Sequence, residues 1–276
     1  MSAAPPRARS DPGETGFREF TVLRVGEGAR REQSDPVVAE APVALVYNGV
    51  SFAVMLATPC DLADFALGFA LAEGIVASRD EFELVDTLHS ERGISLQALI
   101  PHARFEALQQ RRRSLAGRSG CGLCGIEALE DAVRPVPSVS STLRVDRSAI
   151  AAGMRALAAN QPLTAVTGGA HAAAFIVPDG RATVREDVGR HNALDKLIGA
   201  MATDHDHRVD EGFLAITSRA SWEIVHKAAH AGIAVIAAIS APTSLAIEAA
   251  DAAGITLIAF ARDAAMNVYT HTSRVA

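Results

Sequence analysis

Between residues 190 and 260, helix-periodic apolar stretches alternate with short β-branched runs, and no other feature of the chain restricts its fold as much. Helices are expected at 190–201, 221–231 and 243–253, and strands at 213–217, 233–239 and 255–260. Strands joined through helices run parallel, because a crossover returns the chain to the same end of the sheet. Upstream, Asp146 is placed to cap a helix through residue 159, and 163–167 reads as a short strand. The runs 172–177 and 182–186 form a hairpin across Asp179-Gly180 and add an antiparallel portion. Residues 142–276 are therefore expected to form a three-layer α/β/α domain with a mixed sheet.

The first half has a different rhythm. β-rich runs at 17–25, 43–47 and 50–56 include a pair flanking Asn48-Gly49, a strong hairpin signal. Asp61 is positioned to cap a helix that buries Leu62, Phe65, Phe69 and Leu71 and ends near Gly74. Two further strands are expected at 83–89 and 93–100, and a short polar helix over 105–115 ends in Arg111-Arg112-Arg113. A small α+β domain over 17–110 follows, making the whole chain α/β. Residues 1–16 lack apolar periodicity and read as a disordered tail, while 111–141 forms a mobile loop and a proline-serine linker. With 276 residues, 49% of them hydrophobic, the chain has enough apolar material for two modest cores.

A net charge of −6 argues against a general nucleic-acid binder, which needs a basic face. No window approaches the run of about 18 apolar residues that spans a membrane, and the first residues lack a signal peptide's apolar stretch. A cytoplasmic protein is expected. Three cysteines form no disulfide framework in such a chain. Lone Cys60 reads as a small packing residue. Cys121 and Cys124 sit instead in Ser-Gly-Cys-Gly-Leu-Cys-Gly, where glycines favour backbone movement over packing.

Two thiols at this spacing serve three chemistries. A thioredoxin-like pair follows a strand of a βαβ unit, a context missing here. A zinc site needs further ligands, and His89-x-Glu91 ahead of the cysteine pair imitates the nucleobase-deaminase order. However, His89 ends a strand, and glycine precedes Cys121 where that signature has proline. In a sulfur carrier, one cysteine accepts sulfur as a persulfide. Arg111, Arg112, Arg113 and Arg118 would stabilise its anion or dock an acidic donor protein, and the second thiol would resolve it. Spacing alone treats Cys121 and Cys124 alike.

Ligands of open α/β sheets collect beyond the carboxyl ends of the strands. Here those ends are polar: Thr217-Ser218-Arg219, Ser240-Ala241-Pro242-Thr243 and Phe260-Ala261-Arg262. Gly168, Gly169 and His171 belong with them, as do Arg190, His191 and Asn192. Each segment alone is equally an ordinary cap or turn. Together they favour a phosphate-bearing ligand held by N–H groups, hydroxyls and guanidiniums.

Several of these segments form long motifs in order along the chain. Cys121-Gly-Leu-Cys124-Gly, Thr167-Gly-Gly-x-His171-x-Ala173 and Glu186-Asp-Val-Gly-Arg-His-Asn-Ala-x-Asp195-Lys196 are followed by Ser218-Arg-Ala-Ser221-x-Glu223 with Lys227, and by Ser240-Ala-Pro-Thr243. The chain resembles the formate dehydrogenase accessory sulfurtransferases of the FdhD/NarQ family. The resemblance implies that a cysteine desulfurase loads Cys121 as a persulfide. It implies that the sulfur then passes to the molybdenum bis-guanine-dinucleotide cofactor, bound as a substrate, before formate dehydrogenase receives it. A cytoplasmic homodimer with no resident metal is also implied, as is a cytidine-deaminase-like second domain without deaminase chemistry. The family's cofactor segment falls on Phe260, Ala261, Arg262, Asp263, Ala264 and Ala265. Ala264-Ala265 stands where some relatives have Gly-Arg, leaving Arg262 as the phosphate contact there. A non-catalytic cofactor chaperone is the remaining alternative.

Overall fold

The computed structural model describes residues 15–26, 29–116, 135–177, 179–204, 208–262 and 265–276. Its strands β1 (Phe17–Gly26) and β2 (Ala29–Val38) pair antiparallel as a two-stranded sheet of their own. β2 was not legible as a strand, because its sequence, Ala-Arg-Arg-Glu-Gln-Ser-Asp-Pro-Val-Val, has charge where an alternating strand has apolar residues.

Strands β3 (Ala41–Tyr47) and β4 (Val50–Ala57) form the expected hairpin, with Asn48 and Gly49 at φ 49° and 79°. With β5 (Glu83–Ser90) and β6 (Gly93–Leu99) they make a four-stranded sheet in the order β4-β3-β6-β5, the β3–β6 pair being parallel. Helix α1 (Leu62–Ala72) packs Phe65, Leu67 and Phe69 with Val43, Leu45, Tyr47 and Leu96 in one apolar cluster. Asp61 does precede this helix, but at φ 51° and without a side-chain cap bond; its carboxylate lies 3.9 Å from Arg185 instead. Helix α2 (His102–Ala116) begins three residues earlier than the sequence suggested.

The second half opens with α3 (Arg147–Ala159) and α4 (Pro162–Thr167). The strand expected at 163–167 is therefore wrong. Pro162 occupies the start of a helical turn, where its missing N–H costs nothing, and the Glu186 carboxylate accepts from Leu163 N and Thr164 N, both at 2.8 Å. Gly168 closes the turn at φ 65°. No local pattern reveals a cap supplied from over twenty residues downstream.

Then follow β7 (His171–Ile176), β8 (Ala182–Asp187), α5 (Arg190–Thr203), β9 (Phe213–Ile216), α6 (Trp222–His230), β10 (Val235–Ala238), α7 (Ser244–Ala253), β11 (Thr256–Arg262) and β12 (Ala265–Val268). The sheet order is β12-β11-β10-β9-β7-β8. Strands β9, β10 and β11 are parallel, while β7, β8 and β12 run antiparallel to their neighbours, so the sheet is mixed as expected. Helix α5 packs against β7 and β8, α7 packs against β11, α6 contacts both of these helices, and α3 contacts β7, β8, β9 and β11. β12 was also missed: it pairs across an irregularity between Ala259 and Arg262, and Phe260 there adopts φ 52°.

The two halves meet where α1 crosses α5. A methyl group on Gly68 would overlap the Asp195 carbonyl oxygen, and one on Gly199 would overlap the Asp64 carbonyl oxygen, so only glycine lets the backbones approach this closely. Arg185 clasps Asp64 at 2.7 Å beside this crossing. Lys227 of α6 reaches Asp195 at 2.8 Å and Glu73 at 3.1 Å, and lies 5.1 Å above the Phe69 ring. Buried charge is thus paired across the junction, as a low-dielectric interior demands.

Candidate functional site

Strand direction decides where the candidate residues go. β9, β10 and β11 end at Ile216, Ala238 and Arg262, and the antiparallel β7 begins at their carboxyl edge with His171, paired with Asp187 at the end of β8. One sheet edge therefore gathers Gly168, Gly169, His171, the 186–192 segment, Ser218, Arg219, Ser240, Thr243 and Phe260 to Arg262. Cys121, Cys124, Asp263 and Ala264 lie outside the described residues, as does Arg118. The side chains of Arg111, Arg112 and Arg113 do too. Ala265 opens β12 and is exposed.

The Glu186 to Asn192 segment is built around Asp187, whose carboxylate is fully buried. One oxygen accepts from Gly189 N at 2.8 Å and Asn192 Nδ2 at 3.0 Å. The other accepts from Thr58 N at 2.9 Å and the Lys196 ammonium at 2.7 Å. Asn192 also donates to the Leu56 carbonyl at 2.8 Å, so its buried amide ties the halves together. Since Asp187 faces inward, α5 starts at Gly189 with no side-chain cap. The first helical bond runs from Ala193 N to Gly189 O at 3.0 Å, and the N–H groups of Arg190, His191 and Asn192 have no intrahelical acceptor. A long helix opening on uncapped N–H groups at a strand edge favours an anion.

The side chains around that opening reinforce the preference. Arg190 Nε is buried without a hydrogen-bond partner among the described residues, and so is Trp222 Nε1 at the first position of α6. A buried donor without an acceptor is costly, and an oxygen-rich ligand would satisfy both. His191 Nε2 lies 3.4 Å from both Ser221 Oγ and Glu223 Oε2, and Ser221 Oγ donates to Glu223 Oε2 at 2.9 Å. Burial pushes the His191 imidazole down to about 4 despite the pull of Glu223, leaving it neutral at neutral pH. Burial, then Arg190, also lowers the half-buried His171, with Asp187 pulling the other way.

The remaining residues divide. Arg219 and Arg262 are exposed at the rim, with Arg262 Nε donating to Ile239 O at 3.1 Å. Phe260 presents an exposed ring, and its N–H is taken by Ser240 O at 3.2 Å. Ser218 is buried and donates to its neighbour's carbonyl at 3.1 Å, while Thr243 caps α7 through Ala246 N at 3.2 Å; both make ordinary local bonds. Gly169 packs under Val38 of β2, and a methyl group there would come within 2.9 Å of it. Sequence pattern alone does not single out Trp222. The available signal was its place: the only tryptophan stands directly after a polar strand end, in the first turn of the next helix.

Two cavities flank Cys60, the smaller of them reaching Glu186 at the end of β8. One, of about 700 Å³, is lined by Arg18, Glu40, Cys60, His89, Glu91 and Arg92; another, of about 390 Å³, shares Cys60 and Asp61 with it. Cys60 belongs to neither apolar cluster; its thiol is half-buried, 3.9 Å from Lys196, and burial pushes it up against that charge. Among the described residues, no group of three or more His, Cys, Asp or Glu side chains could hold a metal ion.

Comparison with known proteins agrees with this architecture. The family model described as FdhD/NarQ matches residues 38–276. The chain is 53% identical over 269 residues to a protein of Xanthomonas campestris pv. campestris named sulfur carrier protein FdhD, covering 96% of this chain and 95% of that one. A Bordetella petrii protein of the same name is 47% identical over 268 residues, covering 96% of both chains. The crystal structure of a putative formate dehydrogenase accessory protein from Desulfotalea psychrophila superimposes with a TM-score of 0.69 at 24% identity, over 94% of this chain and 99% of that one, and shares its fold. This chain belongs to the FdhD/NarQ family.

Proposed function

We propose that the protein is a sulfur carrier in formate dehydrogenase maturation. The observation that most supports this is 53% identity, across 96% of the chain, to a protein named as a sulfur carrier. In this reading the Cys121 thiolate attacks the outer sulfur of a cysteine desulfurase persulfide. The donor's S–S bond breaks, the donor leaves as a thiolate, and Cys121 holds the new persulfide with no net oxidation. Cys124 assists or resolves. The sulfur then passes to the molybdenum bis-guanine-dinucleotide cofactor, which is cargo bound for formate dehydrogenase and no permanent part of the protein. The proposed working form is a cytoplasmic homodimer.

The carboxyl edge of the second sheet suits the cargo's guanine-nucleotide ends. The uncapped start of α5 and the rim guanidiniums of Arg219 and Arg262 offer hydrogen-bond donors there, and the buried donors of Arg190 and Trp222 have no partner among the described residues. Phosphate oxygens accept such bonds, and the arginines add charge. Cys121→Ala should abolish formate dehydrogenase activation in cells while leaving the fold and nucleotide binding intact. Full activation by Cys121→Ala, or by Cys121→Ser, would instead make the protein a cofactor-binding chaperone whose cysteines only help docking.

A further inference from the structure

We infer that Thr58, which lies in the first half of the chain and outside the cargo edge, is a positioning residue for nucleotide binding at the start of α5. The inference rests on the proposed cargo reading and adds a residue to which no binding role has been given.

Thr58 is fully buried just past the end of β4, and each of its polar groups is used. Its N–H donates to Asp187 Oδ2 at 2.9 Å, its hydroxyl accepts from Val188 N at 3.0 Å, and its carbonyl accepts from the Lys196 ammonium at 3.0 Å. Lys196 in turn pairs with Asp187 at 2.7 Å and donates to the Glu186 carbonyl at 3.4 Å. Two residues from Thr58, the Leu56 carbonyl holds Asn192. The short stretch from Leu56 to Thr58 is therefore the mould against which the turn from Asp187 to Gly189 is set. That turn ends where the N–H groups of Arg190, His191 and Asn192, which have no intrahelical acceptor, begin.

Aim is what such a mould supplies. N–H groups at a helix start bind an anion only from within hydrogen-bond distance, and the angular tolerance is narrow. Asp187 and Thr58 consume the N–H groups of Val188 and Gly189, which fixes the turn that leads into the next three N–H groups. Without the Thr58 hydroxyl, the half-buried Val188 N would lose its acceptor, and the turn would shift to find another. The first half thus completes a binding edge whose ligand-facing residues all belong to the second.

The test is titration of the full-length protein with GDP, the free nucleotide nearest to the proposed cargo's ends, beside thermal unfolding of each variant. Thr58→Val keeps the shape but loses the acceptor, and Thr58→Ser keeps the acceptor but loses a methyl group. The expected result is GDP affinity weakened about tenfold in Thr58→Val and restored to within about threefold of wild type in Thr58→Ser. Thr58→Ala, which adds no bulk, provides the same loss of acceptor if valine prevents folding. A lowered melting temperature with unchanged GDP affinity in Thr58→Val or Thr58→Ala would overturn the positioning role and leave the cargo reading standing. Absence of GDP binding by the wild-type protein would remove both.

Discussion

At the scale of single residues, the most unequal contest is at Asp195. This carboxylate is fully buried beside Lys227, and burial raises it to about 6 even though Lys227 pulls the other way. Lys227 shifts upward: burial alone would lower it, but Asp195 and Glu73 together prevail. Because Asp195 binds its proton more tightly folded than unfolded, its ionised form costs stability above about pH 6, and that cost is relieved as pH falls toward the unfolded value near 4. Relative to Asp195→Asn, the wild-type protein should therefore gain about 1 kcal/mol of unfolding free energy between pH 7 and pH 5. Chemical denaturation at both pH values checks this, and a difference that stays constant or shrinks would contradict it. Trp222 makes a second prediction. Trp222→Phe removes the indole N–H, which has no partner among the described residues, with little change of shape, and should weaken GDP binding roughly fivefold without lowering the melting temperature. The sequence named Arg190 and His191, because polar residues at a strand edge stand out. It hid Trp222 and Thr58, whose chemistry depends on which of their atoms are buried and what faces them.

At the scale of elements, the sequence was most informative where one period ran for several turns. The helices α3, α5, α6 and α7 and the strands between them fall close to the expected spans, since their apolar faces all turn to one core. The failures share a cause in contacts from elsewhere. α4 owes its helical turn to Glu186, and β2 owes its extension to pairing with β1. The crossing of α1 and α5 has the same character, because nothing within either helix announces that Gly68 and Gly199 meet a facing backbone. Gly68→Ala should destabilise the protein by about 3 kcal/mol or force the helices apart, at the upper end of what overpacking costs. Urea unfolding measures the first outcome, and loss of a single cooperative transition would reveal the second. An alanine variant as stable as wild type would mean that the helices do not touch there.

At the scale of the whole molecule, two apolar clusters are joined by a polar seam. Along it, Lys196, Asp187, Thr58 and Asn192 set the start of α5, while Lys227, Asp195 and Glu73 fasten α6 and α5 to the end of α1. The longest motif in the chain, Glu186 to Lys196, runs through this seam, so its residues divide between holding the halves together and facing the candidate ligand. Pattern alone could not make that division, because both tasks require charged and amide side chains. The thiol segment enters by a different route, through the family and its named sulfur carriers. Its role is tested most directly by incubating the purified full-length protein with a cysteine desulfurase and cysteine, then locating any added sulfur by mass spectrometry of the peptides. The expected result is one additional sulfur atom on Cys121, removed by a reductant and missing in Cys121→Ala. Sulfur found only on Cys60 or Cys124, with Cys121 bare, or no sulfur on any of the three, would contradict it.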